Sequence, residues 1–226
     1  MFPQVHAAEA SSQRAGIARR FAANIVAEGL FGSPVLTGAQ LNFAANTEIF
    51  GEGERTDSVY KVISGAVRTY RILSDGRRQI VAFYLPGDIF GLEAGEEHMH
   101  SADAVGNTVL LSVKRSLVAS EAAEDVAVAQ RLWQYTAREL RRAQNHALLL
   151  IQSAEERVTF FLKQMAAHNP QSDMITLPMS RQDIADYLGL TIETVSRTLT
   201  HLESRSIIAL PSSRKVVMRH AGKAAA

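Results

Sequence analysis

Between Leu117 and His168 the chain has neither glycine nor proline, whereas the stretch before it is broken repeatedly by glycine. These two residues are the strongest local breakers of regular structure, so the contrast divides the chain. The earlier stretch has to turn again and again. The later one is free to run as long helix. Within it, apolar or small residues fall at Val126, Ala129, Trp133, Thr136, Leu140, Ala143, Ala147 and Leu150, at spacings that alternate three and four. That is a heptad seam. Arg131, Arg138, Glu139, Arg141 and Arg142 lie off it. The expected product is a helix that pairs with a second copy of itself, not only a core helix of its own domain. Glu155 to Ala167 reads as a further helix, closed by Asn169-Pro170.

The glycine-rich stretch runs from Thr47 to Val113. Val59–Ile63, Ala66–Tyr70 and Gln79–Tyr84 read as strands bounded by Ser64-Gly65, Ser74-Asp75-Gly76 and Pro86-Gly87-Asp88. Asp75-Gly76 predicts a two-residue hairpin in which both turn residues take positive φ. Short strands at regular spacing point to a double-sheet roll or barrel. Residues 1–30 carry no strong periodicity and are read as a loose N-terminal extension.

Composition removes several function classes. The chain of 226 residues has no cysteine, so it has no disulfide framework, no Cys-ligated zinc or iron–sulfur site and no thiol nucleophile. No stretch approaches the ~20 apolar residues of a membrane span, and the N-terminus lacks a secretory apolar core; the expectation is a cytoplasmic protein with no membrane partner. No nucleophile–base pair, metal cluster or phosphate loop is visible, so an enzyme is not expected and neither a cofactor nor a metal is assigned. Net charge is only +1, yet beyond Thr194 six basic residues face the single acid Glu203. A basic end on a neutral chain hints at a polyanion.

The segment LPMSRQDIADYLGLTIETVSRTLTHLESRSII supplies the sharpest signal. Ser180 opens a capping box with Asp183. Ile184, Ala185 and Leu188 form one face of a short helix, and Gly189 supplies a turn in which a residue without Cβ adopts positive φ cheaply. Thr191 caps a second helix with Val195, Leu199 and Leu202 facing inward. This is a helix-turn-helix. Ile207 to Met218 follows as a two-stranded wing with Arg214 and Lys215 near its tip. On the second helix Glu193, Ser196 and Arg197 share the outward face. Arg forks onto guanine, Glu accepts from cytosine N4, and Ser takes either role; Ile192 suits a thymine methyl. Ser180, Arg181, Gln182, Thr191, Thr194, Arg214 and Lys215 are candidates for phosphate contacts. A Glu193–Arg197 ion pair is expected in the free protein.

In this order, the roll, the long helix and the winged helix-turn-helix resemble the Crp/Fnr family of bacterial transcription regulators over about residues 35–220. Thr191-Ile-Glu-Thr-Val-Ser-Arg197 is similar to the E-x-x-S-R signature of the Fnr branch, and FGLEAGEEH at 90–98 is most similar to its FixK group. The resemblance implies an α+β fold: a cyclic-nucleotide-binding-like β-roll at 31–122, a dimerisation helix at 123–153 and a winged helix-turn-helix at 154–226. It implies a homodimer on double-stranded DNA, with Glu193, Ser196 and Arg197 reading a TTGA-type palindrome. It further implies an activator working with RNA polymerase at microaerobic, anaerobic or nitrogen-fixation genes, with the exposed loop Ser74–Arg78 as a polymerase contact. The roll departs from nucleotide-binding relatives: His100-Ser101 stands where an Arg-Ser pair would hold a cyclic phosphate, among Glu93, Glu96, Glu97 and His98. His98 and His100 are read as solvated loop residues rather than ligands. The expected protein therefore needs no effector. The alternative is an effector-gated regulator whose roll binds a small molecule or haem.

Overall fold

The computed structural model describes residues 29–219; the extension expected at 1–30 lies outside them except for its last two residues, as does Lys223 at the basic end. The N-terminal part is a double-sheet roll of strands β1 (Ala39–Phe43), β2 (Glu48–Phe50), β3 (Ser58–Ser64), β4 (Val67–Ile72), β5 (Arg78–Tyr84), β6 (Ile89–Phe90), β7 (Ser101–Ala104) and β8 (Thr108–Lys114). One sheet has the order β1-β8-β3-β6 and the other β2-β7-β4-β5, with antiparallel pairing throughout. Their inner faces close on Phe43, Phe50, Val62, Val67, Phe90 and Leu110.

The hairpin between β4 and β5 is not the two-residue turn expected from Asp75-Gly76. Ile72 pairs with Arg78, the Gly76 amide donates to the Leu73 carbonyl at 2.9 Å, and the Leu73 amide donates to Arg77 at 2.8 Å. Gly76 has φ +82°, whereas Asp75 is not among the residues of positive φ. This is a three-residue loop with glycine alone in the left-handed region. Asp75 stays at negative φ because its carboxylate accepts from both the Arg77 amide and guanidinium, at 3.0 and 2.7 Å.

Helix α1 (Arg115–Glu124) leads into α2 (Val126–Leu149). The break falls at Asp125, inside the span 123–153 expected to be one helix. Asp125 ends α1 through its amide, which donates to the Glu121 carbonyl, and starts α2 by accepting from the Ala127 amide at 2.7 Å. An aspartate in extended conformation is a better N-cap than a helix interior residue. With 24 residues, α2 spans about 36 Å. One face packs on the roll through Val128, Leu132 and Tyr135. The Tyr135 hydroxyl donates to the Ile89 carbonyl at 2.7 Å and accepts from the Ile89 amide at 2.6 Å. The heptad seam is the other face. Trp133 is 75%, Val126 72% and Leu140 60% exposed, and Thr136, Ala143 and Ala147 are exposed too. Leu150 leaves the seam: it lies just past the helix, half-buried, beside Gly189.

Helix α3 (Ala154–Ala167) starts at a capping box of Ser153 and Glu156. The C-terminal part adds β9 (Met174–Thr176), α4 (Arg181–Leu188), α5 (Ile192–Ser204), β10 (Ile208–Ser212) and β11 (Lys215–Met218). The wing has three strands in the order β10-β11-β9, where two were expected. The roll and the C-terminal part also share one apolar cluster: Ala66, Ile80, Phe83 and Leu85 of the roll meet Phe161, Tyr187 and Leu188.

Candidate nucleic-acid interface

Two short helices and their turn form as their residues require. The Ser180 hydroxyl accepts from the Asp183 amide at 3.0 Å, and Asp183 Oδ2 accepts in return from the Ser180 amide and hydroxyl at 3.0 and 2.8 Å. Gly189 ends α4 at φ +61°, with its amide donating to the Ala185 carbonyl. Thr191 caps α5 by accepting from the Thr194 amide at 3.2 Å. Val195, Leu199 and Leu202 are at most 2% exposed, so the inward face of α5 is fixed.

That leaves Ile192, Glu193, Ser196 and Arg197 outward and exposed at the start of α5, as the spacing predicts. Among the described residues no ion pair joins Glu193 to Arg197, contrary to the expectation of an i,i+4 bridge. The Glu193 backbone, then the Thr191 hydroxyl, then Arg197 hold the Glu193 carboxyl below its usual pKa. It is thus an ionised acceptor near neutral pH, the state cytosine N4 requires. Arg197 keeps its full fork for another partner.

The phosphate candidates divide. Thr191 and Thr194 hydroxyls lie 3.0 Å apart at the helix start, and Lys215 is exposed. Arg214 is exposed at the wing turn, with Nη1 donating to the Pro178 carbonyl at 2.6 Å. The Arg181 guanidinium is half-buried, which lowers its pKa, and its Nη1 has no hydrogen-bond partner among the described residues. Gln182 donates to Asp186 Oδ1 at 2.6 Å. Ser180 has both donors committed to Asp183, so it serves as a cap with no proton left for a phosphate.

A cluster that the sequence reading missed lies behind α4. Arg68 of β4 reaches Asp183 Oδ1 at 3.1 Å and Asp103 Oδ2 at 3.0 Å, and Arg78 of β5 reaches Asp183 Oδ1 at 2.6 Å and Asp186 Oδ2 at 2.7 Å. Burial alone would raise the Asp183 carboxyl; Ser180, then Arg68 and Arg78, outweigh it and the net direction is down. No local pattern pairs residues more than a hundred positions apart. The loop read as an exposed polymerase contact is therefore exposed only through Arg77, because Arg78 is bound to α4.

In the roll, His98 is 3% exposed, not solvated. Its ring stacks on Phe50 at 3.5 Å between centroids, and Nδ1 lies 3.3 Å from Glu93 Oε1. Phe50 in turn packs on Tyr60 and Phe90, and Phe90 on Tyr84. From outside, Arg115 donates to the Ala94 and Gly95 carbonyls and to the Thr56 hydroxyl. A cleft of about 220 Å³ lies beside Gly91, Leu92 and Glu93, and an open hollow of about 630 Å³ beside Thr56, Lys114 and Arg115. Among the described residues no group of three or more His, Cys, Asp or Glu side chains could hold a metal ion, and no helix is long and apolar enough to cross a membrane.

Residues 40–125 match the model of the cyclic nucleotide-binding domain, and residues 177–208 match that of the bacterial regulatory proteins of the crp family. The chain is 51% identical over 183 residues to the nitrogen fixation regulation protein FixK of Azorhizobium caulinodans, covering 78% of this chain and 74% of that one. It is 41% identical over 175 residues to the transcriptional activatory protein AadR of Rhodopseudomonas palustris, covering 75% and 73%. The solved structure of FixK2 from Bradyrhizobium japonicum superposes with a TM-score of 0.77 at 49% identity, over 80% of this chain and 92% of that one.

Proposed function

The chain belongs to the Crp/Fnr family as a DNA-binding transcription regulator most like FixK, and from that premise we propose that it binds a TTGA-type palindrome as a homodimer with no effector. The observation that carries this reading is the α5 face: Glu193, Ser196 and Arg197 are exposed and make no ion pair among the described residues, opposite a buried Val195, Leu199 and Leu202. Arg197 is assigned to guanine O6 and N7, Glu193 to cytosine N4, and Ile192 to a thymine methyl. Thr191, Thr194, Arg214 and Lys215 are assigned to the phosphates that set the register.

Dimerisation is assigned to the exposed face of α2 from Val126 to Ala147. Trp133 and Leu140 on that face are large apolar side chains exposed to water in the single chain. A two-fold pair about this helix sets the recognition helices one DNA turn, about 34 Å, apart. Ser74 to Arg77 at the hairpin tip is the candidate contact for RNA polymerase, and the regulated genes are read as those of low-oxygen respiration or nitrogen fixation. Effector-free action is favoured by the filled roll interior around His98 and by Arg115 tying down the loop at Ala94 and Gly95.

Selection from random DNA with purified protein and no added ligand tests the proposal. Recovery of TTGA with its TCAA partner on the symmetric half-site is the expected result. Recovery of no motif until a cell extract is added would favour a gated regulator.

A further inference from the structure

We propose that Arg68 and Arg78 of the roll are positioning residues for DNA binding: by gripping Asp183 and Asp186 they hold the helix-turn-helix at one orientation to the dimer helix. The inference rests on the reading above that the protein binds DNA without an effector. It assigns the role of fixing that orientation to side chains of the chain itself.

The geometry is specific. Asp183 is 4% exposed and divides its carboxylate between two tasks. Oδ2 closes the cap of α4, while Oδ1 accepts from Arg68 Nη1 at 3.1 Å and Arg78 Nη2 at 2.6 Å. Arg68, 7% exposed on a central strand, is itself braced by Asp103 at 3.0 Å and Asn46 at 3.2 Å. Arg78 brings both Nε and Nη2 onto Asp186 Oδ2, at 2.8 and 2.7 Å. The next residue, Gln79, donates to the Asp186 carbonyl at 2.7 Å. The start and the middle of α4 are thus tied to two neighbouring strands.

Apolar contact between the same two parts, through Phe83 and Tyr187 at 5.4 Å between ring centroids, fixes distance more than angle. Forked guanidinium–carboxylate bonds are directional. Burying such a network offsets its own attraction with desolvation, so its distinctive contribution is geometry. The angle matters because α5 follows α4 after the Gly189 turn. A groove of about 790 Å³, shared by Arg77, Arg78 and Gln79 with Thr191 to Thr194, separates the hairpin from the start of α5. In a dimer both reading heads have to be competent at once. If loss of the grip lowers the competent fraction to about one-third per protomer, affinity falls about ninefold, the square of that fraction.

The test uses the full-length dimer and its lack of native cysteine. Cysteines placed at exposed Arg55 and Ser213 carry spin labels, with labelled protomers diluted into unlabelled ones, and pulsed dipolar spectroscopy reads the roll-to-wing distance. Affinity for the selected palindrome is measured on the same proteins. Arg78→Ala should stay dimeric, broaden the distance distribution and bind about tenfold more weakly. The conservative Arg78→Lys should narrow the distribution and recover part of the affinity, because it keeps a cation between Asp183 and Asp186. An Arg78→Ala protein with unchanged affinity, or with an unchanged distance distribution, would overturn the proposal, as would an Arg78→Lys protein that recovers neither. A parent protein that needs an added effector to bind DNA would instead remove the effector-free reading, while its distance distribution would still test the grip.

Discussion

Helices α4 and α5 follow one another across a single turn, are both capped by a hydroxyl side chain, and treat their polar groups in opposite ways. On α4, Asp183, Asp186 and Gln182 are all paired, two of them with arginines from the roll. On α5, Glu193, Ser196 and Arg197 are exposed and make no ion pair among the described residues. Polar groups that are buried have to be satisfied internally. Polar groups left ready on a rigid surface are available to a partner. The difference separates a helix that is held by the roll from one whose polar face is open to the proposed base reading.

Asp183→Ala removes the cap and leaves Arg68 and Arg78 facing no carboxylate on α4's first turn. The expected loss is about 3–5 kcal/mol of folding stability, read by denaturant unfolding. A loss below about 1 kcal/mol would place Asp183 with ordinary surface residues. Leu140→Glu tests the premise that two readers act together. It puts a charge into the apolar face of α2 and should give monomers in sedimentation, with little loss of thermal stability because Leu140 is exposed in the single chain.

On α5 the effect should move from stability to recognition. Arg197→Ala is expected to cost about 1–3 kcal/mol at the guanine it reads while leaving unfolding unchanged. Arg214→Ala and Lys215→Ala should weaken all sequences alike and lower the salt slope by about one each. A sequence-dependent loss for either would move it from backbone contact to base reading.

The smallest effects are those of pH on the roll–helix contacts. Asp183 has a lowered folded pKa, so its contribution is present above the unfolded carboxylate value of about 3.9 and is lost as pH falls through the folded one. His168 runs the other way. Its hydrogen bond to Asp88 raises its pKa, against burial and Arg142. Its contribution is present below about 6.5 and is lost as pH rises through the raised value. Thermal midpoints across this range should fall slightly on the alkaline side, and Asp88→Asn should flatten that slope.

What the sequence makes legible follows the same division. The Ser180–Asp183 capping box, the Gly189 turn and the inward Val195, Leu199 and Leu202 are local, spaced by three or four residues, and appear as read. The seam from Val126 to Ala147 is legible for the same reason. The grip on α4 is not, because Arg78 and Asp186 stand 108 residues apart and nothing near either one names the other. His98 is hidden similarly: a histidine between acids reads as a solvated loop, and its stacking on Phe50 from a distant strand is not legible locally. β9 has three residues, too few for an alternating pattern, and exists because β11 offers it an edge. At Asp75-Gly76 the dipeptide signal was right about a turn and wrong about its length, since Asp75 found a partner in Arg77.

On the proposed function, α5 reads bases from a scaffold that needs no ligand. The most direct measurement compares purified parent and Arg197→Ala dimers, without added ligand, on the selected palindrome, on the same site with its guanines replaced, and on random DNA. Arg197→Ala should lose about tenfold or more on the palindrome alone. An equal loss on all three DNAs would contradict base reading by α5.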